Sequence, residues 1–117
     1  MKGQHFRRRL GFAVAGLRAL WRSEASFRTQ LRLAGVAAAV LIVVRPGATW
    51  VALVLLAAGL GLVAEAANGA IEHLADALHP DHHPLIGIAK DAAAGAALIA
   101  SLTAVAVGIA LACAVTF

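Results

Sequence analysis

Long apolar runs without charge divide the chain into three segments suited to crossing a membrane. The runs cover residues 33–44, 46–64 and 92–117 and contain 12, 19 and 26 residues. A helix of about 20 apolar residues crosses the hydrocarbon core of a bilayer. The second and third runs are this long already, and the first becomes so when its flanking arginines extend their charged groups to the interfaces. The pattern therefore predicts an all-α membrane protein with three spans.

The segment before the first span alternates apolar and charged residues with the period of a helix. Over residues 4–22, apolar side chains recur at spacings of three and four, whereas arginines occupy other helical faces. The recurring apolar residues are Phe6, Leu10, Val14, Leu17 and Trp21. This period predicts an amphipathic helix that lies on the membrane surface. We therefore interpret residues 1–117 as one membrane domain, with a surface segment and three spans: 1–27, 28–45, 48–76 and 87–117.

Two breaks separate the three spans. Arg45-Pro46-Gly47 predicts a turn, because proline disfavours helix at the preceding residue and glycine permits unusual dihedral angles. The segment 79–84, which contains two prolines, ends the second span. That span, over residues 48–76, would be about 43 Å long at 1.5 Å per residue, so its last turns should extend beyond a hydrocarbon core of about 30 Å.

Composition supports a membrane protein, and charge predicts its orientation. The chain is 62% apolar and 14% charged, with a mean hydropathy of +0.85 that exceeds the range of soluble domains. Its net charge of +4 and pI of 10.7 would suggest a nucleic-acid partner in a soluble protein. Here, however, seven arginines precede the first charge-free run, so we expect anionic lipid head groups and no nucleic acid. The same excess predicts a cytoplasmic N-terminus, a cytoplasmic loop at residues 77–89 and an external C-terminus.

Four polar residues interrupt the second span. Glu65, Asn68, Glu72 and Asp76 have the spacing i, i+3, i+7 and i+11, which places them along one helical face. With Asp76 at the interface, Glu72 would lie about 6 Å deeper and Glu65 about 16 Å deeper. Carboxylates at such depth are costly unless they are paired, hydrated or bound to a metal. They could set helix packing or oligomer register, but three acids on one face repel one another unless a cation or proton joins them.

Complementary groups occur at the same cytoplasmic level. Glu24 and Arg28 flank Phe27 where the surface helix meets the first span. Lys90-Asp91 opens the third span, where a lysine and the positive end of a helix dipole could hold phosphate; an interfacial lysine is the alternative interpretation. Acids that suit Mg²⁺, a lysine that suits phosphate and a deeper acid together predict a phosphoryl-transfer site at the membrane surface.

Other motifs point to no further chemistry. Residues 59–64 match G-x-G-x-x-A, but they lie inside an apolar helix without a preceding strand, so they indicate helix packing rather than a dinucleotide site. The histidines at and near the loop lack the regular ligand spacing of a zinc site. The lone Cys113 excludes a disulfide framework. Alanine and glycine are frequent in the second and third spans, which predicts close helix contacts and an oligomer.

Three stretches resemble a known family. In order and spacing, 21-WRSEASFRTQ-30, 65-EAANGAIEHLAD-76 and 87-GIAKDAAAGAA-97 resemble the signatures of the prokaryotic diacylglycerol kinase family, small integral membrane lipid kinases that also include undecaprenol kinases. The resemblance extends from about Gly11 to Phe117. It implies a homotrimer in the bacterial inner membrane, with active sites shared between subunits. It also implies transfer of the ATP γ-phosphate to a lipid hydroxyl with Mg²⁺.

The resemblance also implies roles for the polar residues. Glu65 would be the general base on the lipid hydroxyl, and Asn68 would orient groups beside it. Glu24 and Glu72 would hold the metal on the nucleotide. The remaining residues implied to contact nucleotide are Phe12, Asp81, His82, His83, Lys90 and Asp91. Those implied to contact lipid are Trp21, Phe27, Arg28, Gln30 and Glu65.

The chain departs from the family pattern at several positions. Phe12 stands where relatives often have tyrosine, His5 where they have arginine, and Gln30 where an acid is common. The run 91–97 is more similar to undecaprenol kinases than to the best-known diacylglycerol kinases. The expected function is therefore an ATP-dependent lipid kinase that acts on diacylglycerol to give phosphatidic acid, with undecaprenol as the alternative acceptor.

The alternative from a different class is a small oligomeric protein that conducts protons or cations. Such a protein needs a polar stripe that continues across the membrane. Between Glu65 and Thr49 the helix has only apolar residues, which favours a site on one side of the membrane.

Overall fold

All the regular structure that we describe is helical. The computed structural model describes residues 2–79, 81 and 83–117, with side chains from residue 5 onward. Its helices in chain order are α1 (Lys2–Ser23), α2 (Ala25–Val44), α3 (Ala48–Leu78) and α4 (Pro84–Thr116). No strand occurs in these ranges, and the predicted all-α architecture is confirmed.

Three of the helices are suited to crossing a membrane by length and composition. These are α2, α3 and α4, with 20, 31 and 33 residues. Many of their large apolar side chains, such as Leu56, Val63 and Ile99, are exposed on the surface, as expected where hydrocarbon is the solvent. At 1.5 Å per residue α3 and α4 are about 46 and 50 Å long, so their ends extend beyond a hydrocarbon core of about 30 Å. The prediction of three spans is confirmed.

The first helix has an apolar face that the rest of the chain does not cover. Leu20 is the one buried residue in the described part of α1. The predicted apolar positions Phe6, Leu10, Val14 and Leu17 are exposed. This face suits the boundary between lipid head groups and acyl chains.

The chain turns sharply between α1 and α2. Glu24 has extended dihedral angles, φ −117° and ψ 109°, and separates the two helices. The Arg28 guanidinium donates hydrogen bonds to the carbonyls of Trp21 and Arg22, at 2.7 and 3.3 Å. These carbonyls lie at the end of α1, where a helix has no partners of its own for them. We call this turn, residues 20–28, the α1–α2 corner. It carries Glu24 at its apex.

The other two connections follow the predicted breaks. Arg45 and Gly47 have positive φ values of 50° and 102°, and the backbone N–H of Arg45 donates to the carbonyl of Leu41. Gly47 adopts its angle without the steric penalty of a Cβ. α4 begins at Pro84, three residues before the predicted bound of 87, because the His83 side chain accepts a hydrogen bond from the Leu85 N–H and caps the helix.

α3 is the central helix of the spanning part. Both α2 and α4 pack against it, and no Cα atoms of α2 and α4 lie within 8 Å of each other in the described residues. The buried residues of α3 and α4 are mostly small, among them Ala57, Ala75, Ala93, Ala97 and Ala100. Small side chains let membrane helices approach closely. The polar residues of α3 are therefore carried by the helix that every other element contacts.

Candidate active site

The polar face of α3 is turned toward the α1–α2 corner. Gly61 and Gly69 lie four residues before and after Glu65, so all three share one helical face. A Cβ on Gly61 would lie 2.9 Å from Nε2 of Gln30, and one on Gly69 would lie 3.4 Å from Cγ of Glu24. The two glycines let side chains of α2 and of the corner rest directly on α3. Glu65, which is half-buried, lies on this face between the two covered positions.

Glu24 lies against the turn of α3 that carries Glu72. One of its carboxylate oxygens, Oε1, is 3.7 Å from Nδ1 of His73, and its side chain is 23% exposed. Nδ1 of His73 lies 2.7 Å from the carbonyl of Gly69, and Nε2 lies 3.3 Å from Oγ of Ser23. Glu72 is half-buried and falls between Gly69 and His73 in sequence. The two acids predicted to hold metal therefore belong to one region of the structure.

His73 is a functional candidate that sequence reasoning missed. It follows Glu72 directly, but nothing in the spacing indicated that its ring would lie between Ser23 and Glu24. A carbonyl oxygen can only accept, so the 2.7 Å contact with Gly69 places a hydrogen on Nδ1. The same N–H edge faces the Glu24 carboxylate.

Asn68 presents an unsatisfied acceptor between Glu65 and Glu72 on the polar face of α3. Its Oδ1 atom is buried and has no hydrogen-bond partner in the described residues. Leaving such a group without a partner costs about 1–3 kcal/mol. An incoming donor recovers that energy, so Oδ1 marks a place where a substrate group can bind.

Lys90 closes the water-facing end of the stripe. Its Nζ donates to Oδ1 of Asp76 at 3.1 Å, which joins the start of α4 to the end of α3. The two side chains are 35% and 69% exposed. An exposed ion pair is worth about 0–1 kcal/mol, so Lys90 can exchange Asp76 for a phosphate at little cost. Asp91 follows on α4 and is exposed.

The connection from α3 to α4 holds further predicted nucleotide contacts. Nδ1 of His79 lies 3.0 Å from the carbonyl of Asp81, and the rings of His79 and His83 meet edge to face at 5.0 Å. His83 uses its ring nitrogen to cap α4, and Asp81 is exposed. His82, also predicted to contact nucleotide, lies outside the described residues.

Phe12 lies next to the corner. It lines a shallow concavity between α1 and α3, about 470 Å³ in volume, together with Ala70 and His73. Its ring is 70% exposed. This exposed aromatic face, in the same concavity as His73, is available for stacking against a planar ring.

The residues predicted to contact lipid lie at the corner and just beyond it. Trp21 stacks under the Arg32 guanidinium, 5.5 Å from the ring centroid, and Phe27 is buried at 5% exposure. Arg28 is engaged by the carbonyls of α1. Gln30 donates from Nε2 to Oγ of Ser101 on α4 at 3.1 Å. In this chain Phe27 and Arg28 therefore build the corner, whereas Gln30 lies against Gly61, four residues before Glu65 on α3.

The oxygen atoms of the site suit a magnesium ion that arrives with its nucleotide. In the ranges that the structure describes, no cluster of three or more His, Cys, Asp or Glu could hold a metal unaided. Mg²⁺ is commonly bound by one or two carboxylates together with water and substrate phosphates. Glu24, Glu72 and the unpartnered Oδ1 of Asn68 fit that requirement.

A small helical membrane protein with an acidic and amide-bearing face next to a basic residue has the parts of a membrane-bound phosphotransferase. Comparison with known proteins assigns the family. The model of the prokaryotic diacylglycerol kinase family matches residues 11–112. The chain is 35% identical over 102 residues to the diacylglycerol kinases of Escherichia coli strain K12 and Shigella flexneri, covering 81% of this chain and 78% of each relative.

The chain belongs to the prokaryotic diacylglycerol kinase family. The resemblance drawn from the three sequence motifs is confirmed, and the chain is a member of an enzyme family. Its three apolar helices make it an integral membrane protein.

Proposed function

We propose that this protein transfers the γ-phosphate of ATP to the hydroxyl of diacylglycerol and so forms phosphatidic acid. Membership of the family supports the reaction class. The observation that carries the assignment of residues is the face of α3 on which Glu65 lies between Gly61 and Gly69, covered by Gln30 and Glu24. The proposal assigns the deeper acid of this face to the lipid and the polar groups nearer water to the nucleotide.

Glu65 serves as the general base. Its carboxylate takes the proton of the lipid hydroxyl while the hydroxyl oxygen forms a bond to the γ-phosphorus. The bond between that phosphorus and the β,γ-bridging oxygen breaks, and ADP leaves with the electron pair. Asn68 lies on the same face of α3, three residues after Glu65, and with its free Oδ1 it orients groups beside the base. A positioned base of this kind contributes about 10²- to 10⁴-fold to the rate.

The nucleotide lies on the water side of Glu65. Glu24 and Glu72 would hold Mg²⁺, which when bound neutralises charge on the triphosphate. Lys90 leaves Asp76 and binds phosphate oxygens, with Asp91 beside it. Phe12 stacks on the base, and Asp81, His82 and His83 contact the nucleotide from the connection between α3 and α4. Trp21, Phe27, Arg28 and Gln30 shape the path by which lipid reaches Glu65.

The assembly and location follow the same proposal. The protein lies in the bacterial inner membrane with its N-terminus and active site in the cytoplasm, as the arginines before the first span indicate. It forms a homotrimer with sites shared between subunits, which the small residues on α3 and α4 favour.

The test is transfer of label from γ-labelled ATP in mixed micelles. The full chain is assayed with diacylglycerol and, separately, with undecaprenol. We expect labelled phosphatidic acid, and a matched variant, Thr103→Ala, should behave as wild type because its hydroxyl bonds only to its own helix. Labelling of undecaprenol alone would show that undecaprenol, and not diacylglycerol, is the acceptor. A protein that labels neither lipid would overturn the proposal.

A further inference from the structure

A groove runs between α2 and α4 on the surface of α3. Its volume is about 440 Å³. It exists because the two flanking helices both pack on α3 without approaching each other. Its walls are apolar or small along nearly their whole length, for example at Leu33, Ala37, Val54, Val105 and Leu111. Two polar side chains, Gln30 and Ser101, lie at one end.

These two side chains bridge the groove. The 3.1 Å hydrogen bond from Gln30 to Ser101 is the one side-chain hydrogen bond between α2 and α4 in the described residues. Gly61 forms the floor beneath it, since a Cβ there would lie 2.9 Å from Nε2 of Gln30. The bridge therefore rests directly on α3.

The bridge separates the apolar groove from the candidate active site. Gly61 precedes Glu65 by four residues on the same face of α3, a distance of about 6 Å along the helix. The groove is lined on α3 by residues that precede Glu65, whereas Asn68 and Glu72 follow it. These lining residues are Val54, Ala57, Ala58 and Gly61. Suppose that a molecule reacts at Glu65 and extends into the groove. The atoms next to its hydroxyl then lie at the bridge.

Ser101 keeps a free hydrogen at this place. Its oxygen accepts from Gln30, and its own O–H has no acceptor in the described part of the chain. The hydroxyls of Ser23 and Thr103 behave differently, because each donates to the carbonyl four residues earlier at 2.9 Å. A hydroxyl hydrogen without a partner is unfavourable in an apolar environment. It is thus suited to an acceptor on a ligand.

We propose that Gln30 and Ser101 form an ester-recognition site, in which the Ser101 hydroxyl donates to a carbonyl oxygen of diacylglycerol while an acyl chain of the same lipid lies in the groove. The inference rests on the proposed function. In 1,2-diacylglycerol one ester group sits on the carbon next to the one that bears the hydroxyl and the other sits on the carbon after that, which suits the separation of one helical turn between Glu65 and the bridge. A polyprenol has only hydrocarbon there and would leave the Ser101 hydroxyl hydrogen unpaired, which disfavours it.

The acyl chain is the occupant that the surroundings favour. The groove begins one turn from the general base and is apolar over the rest of its length. The helices that form it are the membrane-spanning ones, so lipid chains surround them at this depth. From Glu65 outward, the groove is first polar and then apolar. Diacylglycerol has the same order, with its ester groups near the hydroxyl and its acyl chains beyond them.

The experiment compares diacylglycerol with the matching dialkyl ether, which has the same hydroxyl and chains but no carbonyl oxygens. Values of kcat/KM are measured in mixed micelles for wild type, Ser101→Ala, Gln30→Met and the control Thr103→Ala. We expect wild type and the control to prefer the ester by about tenfold, which is the effect of one neutral hydrogen bond. Ser101→Ala should remove most of the preference with the KM for ATP unchanged.

The outcomes separate this inference from the function it rests on. Wild type that is silent on both lipids would remove the proposed function itself. If wild type is active on both lipids but does not prefer the ester, the inference alone is overturned. The same holds if Ser101→Ala and Gln30→Met keep the wild-type preference for the ester.

A groove variant tests the occupant. Ala104→Leu narrows the groove away from the bridge, and we expect it to raise the KM for long-chain diacylglycerol more than for short-chain diacylglycerol. Chemical cross-linking of the same samples measures the oligomer. A loss of oligomer with no change in lipid KM would show that a helix of a second copy fills the groove, and the proposal would fail.

Discussion

Oε1 of Glu24 lies 3.7 Å from Nδ1 of His73, so the apex of the α1–α2 corner rests on the central helix beside Glu72. The length of a membrane span, about 20 residues, does not by itself fix the position of Glu24 along the axis of α3. Its height is fixed by Gly69, which leaves room for the Glu24 side chain, and by His73, which also contacts Ser23. One side chain thus orients an acid from another helix.

Replacing His73 should weaken binding of nucleotide more than it slows chemistry. In His73→Ala the Glu24 carboxylate loses its neighbour, and we expect the KM for Mg-ATP to rise by up to about fivefold with little change in kcat, the range for a partly exposed charged contact. His73→Gln, which keeps a donor, should recover part of the loss. Steady-state kinetics at varied ATP measures both. An unchanged KM in His73→Ala would show that Glu24 does not depend on this contact.

Glu65→Gln should remove the base while it keeps size and polarity. We expect kcat to fall by about 10²-fold or more, because a positioned base supplies that much. Binding of ATP should remain close to wild type, since Glu65 lies deeper than the residues assigned to the nucleotide. Label transfer measures turnover, and equilibrium binding of a labelled ATP analogue measures affinity. Wild-type turnover in Glu65→Gln would contradict the assignment.

The spans and the stripe could be predicted from sequence because both are periodic. Charge-free runs of residues marked the spans, and the spacing from Glu65 to Asp76 placed four polar residues on one face. Local sequence also marked the break at Arg45 and Gly47. Each of these features depends on residues that are close neighbours in the chain.

The contacts that complete the site lacked such a signal. Ser23 and His73 are 50 positions apart, and Gln30 and Ser101 are 71 apart. No period links these pairs, since each depends on how separate helices are packed. The exact corner was also missed, because the surface segment was extended to residue 27 whereas α1 ends at Ser23. Arg28, for which the family resemblance implies a lipid contact, also donates to the carbonyls that this ending leaves free, a contact that the sequence did not indicate.

Filling the space over Gly69 should disturb Glu24. A Cβ there would lie 2.6 Å from Leu20 and 3.4 Å from Cγ of Glu24, so the larger side chain of Gly69→Val must displace the corner. We expect a several-fold rise in the KM for Mg-ATP. Gly59→Val is the matched control on the same helix, because nothing lies within 4 Å of a Cβ at that position. Equal kinetics for the two variants would show that the corner tolerates the change.

Lys90 and Asp76 should respond differently to mutation, although they form one ion pair of 3.1 Å. If Lys90 binds phosphate in the complex, Lys90→Met should raise the KM for ATP about 10- to 100-fold, the effect expected of a hydrogen bond to a charged group. Asp76→Asn should leave that KM unchanged or lower it, because Lys90 then has no competing partner. Lys90→Arg, which keeps the charge, should lie between Lys90→Met and wild type. The assays need constant ionic strength, since exposed charges are screened by salt. Equal increases in KM for Lys90→Met and Asp76→Asn would mean that the pair acts by holding α3 to α4 rather than by binding nucleotide.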